Sequence, residues 1–249
     1  MIEVIENATV SEIVMGNPPV NAIDNKFMSD FHAALDRVEE VGATVMLIRS
    51  NQKVFCAGAD LKSIQQHFQT DSGIDDMITY VQLMHKLFNR LEQFPAVTIA
   101  AINGAALGGG LELALSCDLR VAASEAKLGL PEAQVGMIPG AGGTQRLTRL
   151  CGPGIASRII LGCETVDGVE AVRIGLVEKN CPRADIDIIS REWADRIGKL
   201  AKPALLASKE CIYAYSDSAI DGYALELEKP RITMRSQEAQ DRIVAFFSK

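Results

Sequence analysis

Val97-Thr98-Ile99-Ala100-Ala101-Ile102-Asn103-Gly104-Ala105-Ala106-Leu107-Gly108-Gly109-Gly110-Leu111-Glu112 is the stretch that decides how this chain folds. Its first six residues are the short apolar run expected of a strand buried on both faces. The glycines at 108–110 then mark a turn, and a helix is predicted from there to about Ser116. A second buried run, residues 43–48, follows a helix predicted from Asp24 to Glu40. There Phe27, Phe31, Leu35 and Val38 recur at helical spacing and Gly42 supplies the stop. Leu119 to Ala122 reads as a further strand. Residues 2–15 read as a β-hairpin broken at Glu6-Asn7-Ala8 and stopped by Asn17-Pro18-Pro19. Residues 63–95 read as helix with a polar break at Thr70-Asp71-Ser72-Gly73. Strand and helix therefore alternate, which makes the class α/β with helices covering a sheet. From about Arg191 helical signals dominate, through Trp193, Ile197 and Leu200 to Ile243, Phe246 and Phe247. The expected organisation is a core over residues 1–190 and a helical appendage over 191–249. No internal repeat is evident.

Composition narrows the function. At 249 residues, 48% hydrophobic and 23% charged, the chain can bury a sizeable core. A formal net charge of −7 speaks against nucleic acid as a partner, which calls for a basic stripe. No apolar run reaches the roughly 18 residues of a membrane span. The acidic N-terminal residues do not resemble a secretory leader. Six cysteines without a Cys-x-x-Cys pair imply reduced thiols and a cytoplasmic setting. With only three scattered histidines, no metal site is expected.

The glycine-rich turns are where chemistry can sit. Gly108, Gly109 and Gly110 let a ligand carbonyl approach the main chain, and the first N–H groups of the following helix are unpaired at its positive end. Such groups can hold a developing oxyanion, at about 10²–10³ in rate per donor. A flexible turn or close helix–strand packing accounts for three glycines equally well. Glu112, in the first turn of that helix, can simply favour the dipole, and Glu132, after Leu130-Pro131, can simply start a helical turn. Ala57-Gly58-Ala59 is a second small-residue turn, with Lys62 nearby. Competing chemistries lack their motifs: there is no Gly-x-Ser-x-Gly elbow, no P-loop and no dinucleotide fingerprint.

Three separated motifs, residues 55–61 (Phe-Cys-Ala-Gly-Ala-Asp-Leu), 103–118 and 130–147, together with Pro18-Pro19-Val20-Asn21-Ala22, resemble the crotonase superfamily in its enoyl-CoA hydratase branch. The resemblance covers essentially the whole chain. It implies a ClpP/crotonase-like spiral of ββα units with a C-terminal helical region that mediates trimers, often paired into hexamers. It also implies an acyl-CoA thioester as substrate, no cofactor beyond that CoA, and a place in lipid metabolism of the β-oxidation type. By motif match, the backbone N–H groups of Ala59 and Gly109 would form the oxyanion hole. Glu112 and Glu132 would be catalytic, with Glu112 activating water and Glu132 delivering the α-proton. Ala57, Gly58, Asp60, Leu61, Lys62, Gly108, Pro131 and Gly140 would contact substrate, and Lys249 would reach the CoA of a neighbouring subunit. Pro19 stands where many relatives carry a basic residue, and Ala105-Ala106 replaces a frequent aromatic-containing pair.

The implied reaction is reversible syn hydration of a 2-enoyl-CoA to a 3-hydroxyacyl-CoA. A double-bond isomerase on the same scaffold needs one carboxylate, so the pair favours hydration. A non-catalytic acyl-CoA- or RNA-binding protein fits neither the glutamate pair nor the acidic charge. Phe68, Met77, Tyr80 and Met84 are expected to line or cover the acyl pocket.

Overall fold

The computed structural model describes residues 1–60, 64–65 and 72–248. Its organising element is a six-stranded sheet. β1 (Ile2–Ile5) and β2 (Val10–Met15) form the predicted antiparallel hairpin. β2 then pairs in parallel with β3 (Val45–Ser50), β3 with β4 (Val97–Ile102), β4 with β6 (Leu119–Ala123) and β6 with β8 (Lys179–Cys181). Between these lie β5 (Ala106–Leu107) and β7 (Leu128–Gly129), two short strands that pair in parallel in a second layer. Isolated bridges extend that layer: Ile23 to Ala59, Cys56 to Ala106 and Leu128 to Val166.

A three-part unit recurs along the chain. β2 leads through the bridge at Ile23 to α1 (Asn25–Val41), and β3 through Cys56 and Ala59 toward α2 (Gly73–Glu92). β4 leads through β5 to α3 (Gly109–Leu115), and β6 through β7 to a 3₁₀ turn (Glu132–Val135) and α4 (Gly143–Ile160). This is the expected spiral of ββα units. The recurrence is geometric, which is why no sequence repeat announces it. The predicted helix at 24–40 is α1: Asp24 caps it by accepting from Phe27 N–H at 2.6 Å, and Gly42 ends it with φ 70°.

The long strands are apolar on both faces because both are covered. Met46, Ile48, Ala100 and Ile102 join Phe27, Phe31, Leu87 and Leu111 in the main core. Their neighbours Val45, Leu47, Ile99 and Ala101 pack on the opposite face against Ile186, Trp193 and Ala194. The last three belong to α6 (Ile186–Gly198), which follows the short α5 (Gly168–Arg173). The boundary expected between residues 190 and 191 thus falls inside a helix that covers the sheet, since helical spacing alone does not reveal what a helix packs on.

Beyond it lie α7 (Lys202–Ala214), α8 (Gly222–Thr233) and α9 (Gln237–Phe247). α7 is tied to the core by Lys209, whose Nζ donates to the carbonyls of Phe94 and Ala96 and to Asp118 Oδ2 at 2.9–3.1 Å. Tyr213 O–H donates to Asp118 Oδ1 at 3.0 Å. Further out the apolar residues face solvent, with Leu227 77% and Phe247 82% exposed. Among the described residues no helix is long and apolar enough to cross a membrane.

Candidate active site

The second layer ends in a cavity of about 300 Å³, and most of the motif residues line it. On one wall is Ala59. Its partner in the bridge, Ile23, donates to Gly58 O at 2.9 Å and accepts from Asp60 N–H at 3.2 Å. In a parallel pairing those bonds go to the residues flanking the partner, so the N–H of Ala59 itself points away from Ile23. Gly58 makes the approach to the next wall possible: a Cβ there would stand 2.7 Å from Leu107 O and 3.1 Å from Gly109 N, and its φ is 93°.

That next wall is the start of α3. Gly109 is the first residue of the helix, so its N–H has no partner within it. A Cβ built on Gly109 would lie 3.5 Å from Ala59 N, and the two amides therefore border one small space. The neighbouring glycines are constrained for other reasons. Gly108 has φ 53°, and a Cβ on it would stand 2.8 Å from Glu132 Oε1. A Cβ on Gly110 would collide with the backbone carbonyl of Cys56. At Gly109 the nearest obstacle is the end of the Met84 side chain, at 2.9 Å.

Glu112 is one turn into α3 and only 2% exposed. Its Oε1 accepts from the N–H groups of Ala141 and Gly143 at 2.8 and 2.7 Å. Burial pushes its carboxyl up to about 7, and the charge of Glu132 acts in the same direction. The two amide donors and Arg146 pull the other way. Glu132 begins the 3₁₀ turn after Pro131, as its position after proline suggests. Burial raises its carboxyl as well, and Oε2 is buried without a hydrogen-bond partner among the described residues. An unsatisfied buried carboxylate oxygen favours the protonated form. Two carboxyls lining one cavity titrate as a pair.

Ala57, Gly58, Ala59, Gly108, Gly109, Glu112, Pro131, Glu132 and Gly140 all line this cavity. Asp60 instead serves the bridge to Ile23 through its N–H. Leu61, Lys62 and Lys249 lie outside the described residues, as does Phe68. Met77, Tyr80 and Met84 line the apolar side as expected, joined by Ile64, Val81 and Ile138. Tyr80 O–H donates to Ile23 O at 2.7 Å, which fixes its ring at the wall. Sequence reasoning missed the amides of Ala141 and Gly143. The signal was present in Gly140-Ala141-Gly142-Gly143, a run whose glycines free the backbone to turn toward a carboxylate.

Comparison with known proteins decides the family. The enoyl-CoA hydratase/isomerase family model matches residues 5–249. The chain belongs to that family. It is 36% identical to a probable enoyl-CoA hydratase of Bacillus subtilis over 96% of this chain and 93% of the relative. It is also 36% identical to the short-chain-enoyl-CoA hydratase of Clostridium acetobutylicum, over 96% and 92% respectively. Among solved structures, the enoyl-CoA hydratase of Bacillus anthracis superposes with a TM-score of 0.91 at 31% identity, over 99% of this chain and 96% of that one. These likenesses span all the elements that build the cavity, so the mixed α/β fold of the family is the fold of this chain.

Proposed function

We propose that the protein is a lyase that adds water reversibly and with syn geometry across the double bond of a 2-enoyl-CoA, giving the 3-hydroxyacyl-CoA. The observation that carries this is the presence of two carboxyls in the same cavity as the outward-facing amides of Ala59 and Gly109. The thioester oxygen accepts from those two N–H groups, which draws electrons from Cβ and stabilises the enolate as charge develops. Glu112, held at Oε1 by two amides, takes a proton from water through its remaining oxygen while the water oxygen bonds to Cβ. Glu132, whose carboxyl burial shifts toward the protonated form, gives the proton to Cα. One water is consumed, and proton exchange between the two carboxyls by way of solvent restores the starting state. The chemistry uses no cofactor beyond the substrate's CoA.

The isomerase alternative needs one carboxyl to move a proton between Cα and Cγ, and it gives the second buried carboxyl no task. Purified protein is expected to consume the enoyl absorbance of crotonyl-CoA, and Glu112→Gln and Glu132→Gln each to lose about 10²-fold or more in kcat. Full activity in both variants, or conversion of a 3-enoyl-CoA without uptake of oxygen from heavy-oxygen water, would overturn the assignment.

The exposed apolar side chains of α8 and α9, among them Tyr223, Leu227 and Phe246, support self-association through these helices, which we read as a homotrimer, alone or paired into a hexamer. Six free cysteines support a reducing compartment such as the cytoplasm.

A further inference from the structure

We propose that Arg146 is a positioning residue for Glu112: it pins the peptide segment that grips this carboxyl and, through its pair with Glu92, sets the charge balance around it. The inference rests on the reading of Glu112 as the base that activates water. Arg146 lies on α4 and is 5% exposed. Its Nη1 donates to Ala141 O at 3.1 Å, and the N–H of the same Ala141 donates to Glu112 Oε1 at 2.8 Å. A single residue therefore links the guanidinium to the carboxylate. The segment lies directly over the guanidinium, because a Cβ on Gly142 would collide with Nη1. Gly143, the next residue, supplies the second N–H to Glu112.

The other edge of the guanidinium is held by α2. Nη2 donates to Asn89 Oδ1 at 2.7 Å and to Glu92 Oε2 at 2.9 Å. Arg149, one turn along α4, shares Glu92 through its other oxygen at 3.2 Å. Nε of Arg146 is buried with no hydrogen-bond partner among the described residues, and a buried donor left unpaired is unfavourable. The group is thus placed to serve the loop and Glu92 rather than to satisfy all its own donors.

The groups that act on Glu112 come from several elements. Arg146 on α4 is the cation, and Glu132, when ionised, opposes it. Tyr80 on α2 faces it, and burial raises that phenol, so it is neutral at working pH. Cys56, in the bridge beside Gly110, is pushed up to about 12 and is neutral too. His85 lines a separate cavity with Arg146, Arg149 and Glu92. Within this set, removing the positive charge favours a proton on Glu112, and removing the charge of Glu92 disfavours one.

The test reads Glu112 directly, by carbon NMR titration of protein labelled at the glutamate carboxyls, with Glu112→Gln locating the signal. Arg146→Gln is expected to move the Glu112 titration up by about one pH unit, and Glu92→Gln to move it down. Arg146→Lys is expected to restore the titration toward wild type while kcat stays at least about tenfold low, because an ammonium lacks the planar fork that spans Ala141, Asn89 and Glu92. Should Arg146→Gln fail to fold, Glu92→Gln and Arg146→Lys carry the test. An unmoved titration, or shifts of the same sign in Arg146→Gln and Glu92→Gln, would overturn the proposal. The titration needs no substrate, so a wild-type protein that leaves crotonyl-CoA untouched refutes the hydratase reading separately.

Discussion

Replacing Glu112 with glutamine should stabilise the protein at alkaline pH while it removes activity. The unfolded carboxyl titrates near the ordinary 4.5, and the folded one is pushed up to about 7 by burial. A carboxyl raised on folding contributes its stability below the unfolded value and loses it as pH rises through the folded one. The interval from 4.5 to about 7, at about 1.36 kcal/mol per pH unit, amounts to about 3 kcal/mol. That is the cost of holding the charge in its pocket at pH 8. Glutamine has nearly the same shape, and its carbonyl oxygen can accept from the Ala141 and Gly143 amides, so the variant keeps the packing without the charge. The stability difference, variant minus wild type, is therefore expected to grow by up to about 3 kcal/mol between pH 4.5 and pH 8. Urea unfolding followed by circular dichroism reads this, with protein concentration held fixed because assembly also stabilises the folded chain. A difference that is the same at pH 5 and pH 8.5, or that shrinks with rising pH, would refute the claim that the charge of Glu112 is only partly compensated in its pocket.

Two other outcomes follow from the same geometry. Hydration should weaken as pH falls through about 7, because Glu112 must be ionised to take the proton from water, and turnover of crotonyl-CoA measured from pH 5 to 9 should show that acid limb; a flat profile down to pH 5 contradicts it. Lys209→Met should cost about 3–5 kcal/mol in urea unfolding with little change in kcat per folded molecule, since it strips the cation from Asp118 at the root of α7 and neither residue lines the cavity that holds the two glutamates; a loss below about 1 kcal/mol would show that the ion pair is not what anchors the helix.

The residues that were legible in the sequence are those whose signal is local. A buried strand, a glycine turn and the first turn of α3 are consecutive in the chain, and Pro131 places Glu132 in its own turn. α1 could be read from its cap, its apolar spacing and its stop. The clamp on Glu112 could not, because the donors lie 29 and 31 residues away and meet it only when α3 and α4 pack. Nor could the pairing of Arg146 with Glu92 across 54 residues. β5 and β7 are two residues each, too short to show the alternation that betrays a strand. α6 showed its period but not its partner, since the face of the sheet it covers is assembled from four strands distant in sequence. The resemblance to a family supplied the spiral that the residues alone did not display.

Gly108, Gly109 and Gly110 look interchangeable on the page, but each is denied a side chain by a different agent. An alanine at 110 meets a carbonyl that cannot retreat, so its penalty falls on folding itself. At 108 it meets a left-handed backbone and the carboxyl of Glu132, so fold and chemistry suffer together. At 109 it displaces only the tip of Met84, yet its methyl fills the space in front of the Ala59 amide. Three successive codons thus separate the protein's two obligations, to persist and to act. A lineage drifting toward a new activity on this scaffold has the middle one open to it, and the two beside it closed.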